Sequence, residues 1–321
     1  MITLPLPHRS IVPSDLQQFG IQIVHDGPLP PQSVLFRNSD DFVNSYSQQA
    51  SLGVERLITP DWMVSFNYLF SRTLKIVRPR DNNVLAAPID PVLGIRVWST
   101  PYFKRPSLLQ ENIYESTGRA FYHGFTTELT RRFTRRFSLN LNYTLSKAID
   151  EAVDYSTDFG ANDQLNLRAE RSLSSFDQRH KLAAYGSLEA PLALTITPVL
   201  RAESGRPFNL LAGFDLNQDR NSNTDRPAFA GRNTGTGPDF WSVDVRVSRR
   251  LLLGERTTLE VMGEAFNALN RLNFRSINNT VGNIPGPFDL RGRKDRSPSE
   301  PLGFTSAFEA RRLQLGLRLS F

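Results

Sequence analysis

Apolar and polar residues alternate along several segments of the chain, most clearly at its C-terminus. Leu313, Leu315, Leu317, Leu319 and Phe321 are apolar, and the residues between them are polar or glycine. Successive side chains of an extended strand point to opposite faces. The segment therefore predicts a β-strand with one apolar face and one polar face.

The same period of two recurs along the chain, and nothing comparable repeats at helical spacing. The clearest further examples are residues 62–70, 137–145, 192–202 and 241–248. Weaker versions lie near residues 45–57, 119–131, 179–189 and 257–269, and a tenth candidate lies around Gln18–Val24. The pattern thus predicts nine strands, with a possible tenth near the N-terminus.

The connections between these strands alternate between short and long. Short ones follow the segments that end near residues 58, 133, 189 and 252, whereas residues 75–117, 147–178, 204–239 and 270–305 are predicted as long loops. Short periplasmic turns and long extracellular loops are typical of transmembrane β-barrels, whose tilted strands need about 9–11 residues to cross the bilayer. We therefore predict an all-β, antiparallel transmembrane barrel whose apolar face meets lipid.

The composition agrees with this prediction. Hydrophobic residues make up 39% of the chain, below the ~45–50% that soluble domains contain, although that average also counts glycine. Lipid takes the place of a hydrophobic core in a barrel, so fewer apolar residues suffice. The chain has no cysteine, which excludes disulfides and thiolate chemistry. Its net charge of +6 is spread without long runs, so nucleic acid is not an expected partner.

The sequence also predicts the aromatic girdles of the barrel and an irregularity in one of its strands. Aromatic girdles at the two membrane interfaces would use Trp62, Phe133, Phe137 and Phe321 at the turn end, and Phe70, Tyr143 and Trp241 at the loop end. Proline lacks the N–H that a strand interior requires, so a β-bulge is expected at Pro198.

Five segments carry a resemblance to a known family: residues 45–57 (SYSQQASLGVERL), 141–152 (LNYTLSKAIDEA), 167–191, 215–249 and 264–274 (EAFNALNRLNF). They resemble the C-terminal half of the barrel of TonB-dependent outer-membrane receptors, and most of all the Oar-like group, which carries a carboxypeptidase-regulatory-like domain before its plug. The closing RLSF also resembles an outer-membrane assembly signal. The resemblance implies a plugged barrel of roughly 22 strands that imports substrate with energy supplied through TonB.

The chain departs from that family in length. Residues 1–321 would form a single C-terminal portion of the barrel, with about 9–10 of its strands and with residues 1–40 poorly defined. No plug domain is recognised, and MITLPLPHRS lacks the basic and apolar regions of a signal peptide. Two interpretations stay open: a gene fragment or mis-assigned start, and a self-closed barrel of about ten strands.

One loop resembles a calcium-binding segment. Asp215, Asn217, Asp219, Asn221 and Asn223 alternate like the oxygen ligands of an EF-hand. The glycine and the glutamate that an EF-hand needs at its sixth and twelfth positions are replaced by Arg220 and Arg226. The sequence therefore favours a solvated loop rich in Asx turns, with a salt bridge between Asp225 and Arg226, and calcium binding is the alternative.

No residue is predicted to be catalytic or to bind a cofactor. The chain contains no G-x-S-x-G nucleophile motif, and Asp177 and His180 are expected to have structural roles at the start of a strand. Charged residues on the lumen face carry both signs and are expected to pair with one another or with a plug. They are Glu55, Glu128, Arg132, Arg201, Asp244, Arg246, Glu260, Glu264, Arg312 and Arg318.

The expected function is active uptake of a large or scarce substrate across the outer membrane, by a protein that is not an enzyme. The expected partners are outer-membrane lipid and, as the resemblance implies, a plug domain and the TonB energy-coupling protein. The substrate cannot be read from the sequence. One alternative is a structural or adhesive barrel that binds partners through its long loops. Another is a soluble all-β binding protein, in which a second sheet would cover the apolar face around Leu313–Phe321.

Overall fold

The computed structural model describes residues 33–134, 136–151, 160–254, 256–280 and 303–321. The predicted strand around Gln18–Val24 lies outside these ranges. Within them the chain forms strands β1–β15, which are Ser33–Asn38, Tyr46–Thr59, Trp62–Asp81, Leu108–Thr134, Phe137–Asp150, Ser172–Leu173, His180–Ala190, Leu194–Glu203, Pro207–Phe208, Gly235–Thr236, Phe240–Leu252, Thr258–Phe266, Phe274–Asn278, Gly303–Ala307 and Arg312–Ser320.

Nine of these strands form one antiparallel wall. Their order is β15-β12-β11-β8-β7-β5-β4-β3-β2, so each strand pairs with the next long strand of the chain. The predicted strands and their antiparallel pairing are confirmed. The edge strands β2 and β15 do not pair with each other in the described part of the chain, so the wall is open.

The strand register brings the apolar residues of neighbouring strands onto one face. Leu141 lies opposite Leu129 on one side and Ala184 on the other. Ala184 in turn lies opposite Leu200, and Leu200 opposite Val243. Such cross-strand neighbours support each other only if they share an environment. The wall therefore has one continuous apolar surface, as the alternation predicts.

This apolar surface is not covered by other parts of the described chain. Leu52 is 72% exposed and Leu315 is 88% exposed, although they lie on opposite edges of the wall. A soluble protein that exposed a surface of this extent would aggregate or bind another molecule. The soluble alternative, which requires a second sheet over Leu313–Phe321, is therefore not supported.

Among the residues that the structure describes, no helix has the length and apolar composition of a membrane span.

The hairpin of β3 and β4 is much longer than predicted. Residues 75–117 were expected to form a loop, but β3 continues to Asp81 and β4 begins at Leu108, so the connection is residues 82–107. The register shifts around Lys75, which has a positive φ of 62°. A bulge of this kind interrupts the period of two, which is why the sequence pattern seems to stop there. The loop prediction for residues 75–81 and 108–117 was therefore wrong.

Pro198 does not produce the expected bulge. Its register with Val245 of β11 is regular, and the pairs on either side, Tyr185 with Val199 and Leu188 with Ile196, keep one register between β7 and β8. Only the bridges at Gly186 and Ser187 are missing. Proline has no N–H to donate, so the hydrogen-bond ladder between β8 and β7 is interrupted at Pro198. Neither strand is displaced by this interruption.

Aromatic residues and one arginine mark the turn end of the wall. The Arg131 guanidinium lies 5.4 Å from the ring centre of Trp62 and 3.3 Å from that of Phe137. Both rings were predicted to belong to the girdle at this end. Cation–π contacts of this kind hold a charge beside an apolar surface, so Arg131 is accommodated on the lipid side of the wall.

Candidate functional site

Three long connections at the loop end pack against one another. We call residues 82–107, 160–179 and 204–239 the outer loop assembly. The backbone N–H of Trp98 donates to Asn217 O (2.8 Å), and the Asn217 amide donates to Asn162 O (2.9 Å). Arg226 N–H donates to Asn162 Oδ1 (3.0 Å). The Arg96 guanidinium donates to Asp163 Oδ2 (3.3 Å), so each connection is tied to the other two by hydrogen bonds.

The only hydrophobic cluster found in the described chain belongs to this assembly, not to the wall. It consists of Val84, Ala87, Trp98 and Phe103, and Trp98 is 1% exposed. The Trp98 indole N–H donates to Leu85 O (2.9 Å), so its polar atom is satisfied. The cluster gives the connection between β3 and β4 a fixed conformation.

Two buried arginines join the connections further. The Arg226 guanidinium donates to both carboxylate oxygens of Glu170, at 2.6 and 3.0 Å. Arg232 pairs with Asp150 at 2.6 Å and also donates to Glu170 O (3.0 Å). Bidentate pairs between arginine and carboxylate are among the stronger polar contacts in proteins. The predicted salt bridge between Asp225 and Arg226 was wrong, because Glu170 satisfies Arg226.

The acidic loop from Asp215 to Asp225 is folded into this assembly. Carboxylate oxygens of Asp215, Asp219 and Asp225 all lie within 4.8 Å of one another. Asp219 is 1% exposed and Asp225 is 0% exposed. The prediction of a solvated loop was therefore wrong. The neighbouring connections bury the loop, and their positions cannot be predicted from the sequence of the loop itself.

The predicted Asx turns are confirmed. Asn217 Oδ1 accepts the backbone N–H of Asp219 (2.9 Å), Asp219 Oδ1 accepts that of Asn221 (2.9 Å), and Asn221 Oδ1 accepts that of Asn223 (3.2 Å). Three side chains of the alternating series thus bond to the backbone two residues later. The turns curl the loop, so that its acidic side chains converge.

Burial makes the ionised forms of these carboxyl groups unfavourable. Desolvation, together with the nearby carboxylates of Asp225 and Asp215, raises the pKa of Asp219 well above its ordinary value. Desolvation also raises the pKa of Asp225 to about 7, against two backbone hydrogen bonds that lower it. The pKa of Asp215 is raised for the same reason. Burial thus favours the protonated form of these carboxyl groups over the carboxylate.

Several lumen-facing charges pair with one another as predicted. Arg246 lies 3.9 Å from Glu260 and 3.8 Å from Glu264 on the neighbouring strand. Glu128 accepts a hydrogen bond from Asn140 Nδ2 (2.8 Å). These contacts are partly exposed and contribute little to stability. They show a wet interior face in which charges of both signs are balanced.

Asp177 and His180 have the structural roles that the sequence predicts. Asp177 Oδ1 accepts the backbone N–H of Ala148 (2.6 Å), next to the end of β5. His180 begins β7, and its Nδ1 lies 2.7 Å from the hydroxyl of Tyr143. Both side chains thus serve the junction between β5 and β7.

A cavity of about 760 Å³ opens on the lumen side, near the loop end of β8 and β11. Its lining includes charged side chains of Arg201, Glu203 and Arg206 and the rings of Phe240 and Phe308. The sequence predicts Arg201 on the lumen face, but it places residues 204–208 only within a long loop. The convergence of these residues depends on connections far apart in the chain, so no local signal could have shown it.

The family model for outer membrane beta barrel domains matches residues 10–231 and 228–292. The chain belongs to this outer-membrane β-barrel family. It is therefore a component of the bacterial outer membrane, and the predictions of fold and localisation are confirmed. No curated protein matches the sequence.

Solved structures with a similar fold include outer-membrane transport proteins. The barrel is similar to the outer membrane transporter YddB from Escherichia coli, with 11% identity, a TM-score of 0.54, and coverage of 92% of this chain and 35% of that chain. It is also similar to FpvA from P. aeruginosa in a complex with a heterologous pyoverdine and iron, with 12% identity, a TM-score of 0.50, and coverage of 90% and 29%. The chain thus spans about a third of the length of these structures.

Proposed function

We propose that this chain is part of the wall of an outer-membrane transporter, which takes up a large or scarce substrate through a lumen that a plug closes. The observation that carries the proposal is the open wall. Nine strands are paired in one sheet, yet both edge strands lack a second partner in the described residues. Every residue of β2 is exposed, and so is nearly every residue of β15.

Unpaired strand edges are strongly unfavourable in a bilayer, because lipid cannot satisfy the free N–H and C=O groups. The wall therefore needs further strands to close. Transporter barrels of 22 strands enclose a plugged lumen, and a nine-stranded wall is a substantial part of such a barrel. The fraction of YddB that the chain covers, 35%, supports the same interpretation.

The two faces of the wall support the proposed partners. The apolar face would contact outer-membrane lipid. The lumen face carries charges of both signs, such as Arg201, Arg246 and Glu260, which suits a polar plug domain better than free diffusion of one class of ion. Energy would reach the plug through TonB, as the resemblance to TonB-dependent receptors implies. The proposal assigns no catalytic step to the chain.

The cavity near the loop end is the proposed contact region for substrate. Aromatic and charged side chains line it together, and such mixtures bind ligands with both polar and planar groups. The FpvA complex contains a pyoverdine and iron, which supports uptake of a scarce nutrient without identifying the one that this protein takes up.

Uptake can be tested in the native bacterium by comparing three strains: wild type, a strain without this gene, and a strain without TonB. Each is grown in a complex medium, and mass spectrometry measures which solutes disappear. We expect at least one solute that is too large for general porins to be depleted by the wild type only. Restoring the gene should restore its depletion.

Two results would contradict the proposal. In the first, the strain without the gene depletes the same solutes as the wild type. In the second, that strain loses attachment to a surface or partner cell while its uptake is unchanged, which would favour the adhesive alternative.

A further inference from the structure

We propose that the acidic loop binds a calcium ion through the carboxylates of Asp215, Asp219 and Asp225, a site that goes beyond the proposed transport function. Three carboxylate oxygens within 4.8 Å of one another have the spacing of ligands around one cation. The loop lies in the outer loop assembly, away from the membrane-spanning part of the wall.

A cluster of acidic residues alone does not define a site, but two of these carboxylates also have unpartnered oxygens. Asp225 is completely buried, and its Oδ2 accepts the backbone N–H groups of Leu216 (2.5 Å) and Asn217 (3.3 Å). Its Oδ1 is buried and has no hydrogen-bond partner in the described structure, and the same is true of Asp215 Oδ1. A buried oxygen without a partner is unfavourable, more so when it is charged. A bound cation would satisfy both oxygens.

The two arginines that oppose calcium in the sequence both have other partners in the structure. The Arg220 guanidinium lies 3.7 Å from the ring centre of Phe103 and donates to the carbonyl oxygens of Pro106 and Leu108. Arg226 forms its bidentate pair with Glu170. Neither guanidinium forms an ion pair with the acidic cluster in the described structure, so neither takes the place of a bound cation.

The backbone at the position of the missing glycine is also compatible. Arg220 is the sixth residue counted from Asp215, where an EF-hand loop needs glycine for a sharp turn. Arg220 has a positive φ of 72°, and its backbone N–H donates to Asp215 Oδ2 (2.9 Å). Arginine therefore adopts here the conformation for which glycine is usually required.

The chemistry of the cluster favours calcium over other common cations. All candidate ligands are oxygens, whereas zinc prefers nitrogen and sulfur ligands. Magnesium demands near-ideal octahedral geometry, while calcium accepts irregular sets of carboxylates, carbonyls and water.

A calcium ion at this position would strengthen the outer loop assembly. Asn217, inside the acidic loop, bonds to Trp98 of one connection and Asn162 of another. Fixing the acidic loop would therefore hold all three connections in their observed arrangement.

Binding can be measured on the full chain, purified from the outer membrane in detergent and stripped with a chelator. Terbium is the probe, because Trp98 lies beside the loop and its indole can excite a bound Tb³⁺ ion. We expect Tb³⁺ emission on excitation of tryptophan and its loss when Ca²⁺ displaces the probe. Titration calorimetry then gives the Ca²⁺ affinity directly.

Variants assign the signal to the site. Asp219→Asn and Asp225→Asn each remove one charge and should lower the Ca²⁺ affinity at least about tenfold. Asp90→Asn is the matched control, because Asp90 accepts two backbone N–H groups in another outer turn, at 2.8 Å each. It should bind Ca²⁺ as the wild type does. Trp98→Phe should reduce Tb³⁺ emission while calorimetry still detects Ca²⁺.

A second measurement uses only the wild-type chain. Chelation of the wild-type chain should make residues 204–239 sensitive to protease, and Ca²⁺ but not Mg²⁺ should restore resistance. The proposal is overturned if the wild type binds no Ca²⁺ by calorimetry. It is also overturned if Asp225→Asn, with its barrel intact on an unboiled gel, binds as tightly as the wild type.

Discussion

Adjacent residues of one strand meet opposite environments in this protein. Leu315 and Gln314 are neighbours in β15, but Leu315 lies opposite Gly263 on the apolar face, whereas Gln314 lies opposite Glu264 on the lumen face. The side chain at each position is therefore selected by its face, and a one-residue shift would place every side chain in the wrong medium.

Leu315→Arg should lower the free energy of unfolding by about 2–4 kcal/mol, because a charge at the middle of the lipid face is poorly solvated. Gln314→Arg is the control, since it adds the same charge one residue away on the wet face, beside Glu264. Urea titration of the full chain in phospholipid vesicles measures both values. Equal losses in the two variants would mean that the faces are not differentiated as described.

In the acidic loop, contacts between residues close in sequence could be predicted, whereas contacts with distant residues could not. Alternation of aspartate and asparagine predicts the Asx turns correctly, because those bonds connect residues only two positions apart. The directions of Arg220 and Arg226 could not be predicted. Arg226 pairs with Glu170, 56 residues away, and Arg220 stacks on Phe103 of a different connection. Such partners cannot be predicted from the residues near Arg220 and Arg226 in the sequence.

At the scale of elements, alternation identifies all nine wall strands because lipid imposes one period on each of them. It fails where a strand leaves the bilayer. Beyond the bulge at Lys75, β3 continues through Ile76 and Val77, two adjacent apolar residues that break the alternation. Hydrogen bonds to β4 maintain the strand there. Because these bonds join backbone groups, they do not require apolar and polar side chains to alternate in the sequence.

The gap beside Pro198 gives a prediction for β7 and β8. Pro198→Val should supply the missing N–H and raise the free energy of unfolding by about 0.5–1.5 kcal/mol, the net contribution of one hydrogen bond. Urea titration in vesicles measures the change, and hydrogen exchange should show new protection at residue 198.

A substitution on the opposite strand provides the control for this change. Gly186→Ala should destabilise the wall, because a Cβ at Gly186 would collide with the backbone oxygen of Ser138 on β5. If Pro198→Val lowered the free energy of unfolding as much as Gly186→Ala does, the proline would be needed for packing, and the missing hydrogen bond would not explain the gap.

At the scale of the whole molecule, all short turns lie at one end of the wall and all long connections at the other. The short turns of outer-membrane barrels face the periplasm. This gives every strand a defined direction across the membrane, and the absence of cysteine makes the direction measurable.

Single cysteines at the two ends should react differently. Val92 is 90% exposed in the connection between β3 and β4, and Gly254 lies in the turn before β12 with no atom within 4 Å of an added Cβ. In intact cells a membrane-impermeant maleimide should label Val92→Cys but not Gly254→Cys. Both should react after the outer membrane is permeabilised. Labelling of Gly254→Cys alone in intact cells would reverse the orientation.

The long hairpin determines what the cell presents to its surroundings. β4 has 27 residues, whereas about 9–11 residues suffice to cross the bilayer. More than half of this strand therefore projects outward, and the tryptophan-centred cluster sits at the far tip. A molecule that approaches the cell from outside would therefore reach residues 82–107 before it reached the membrane surface.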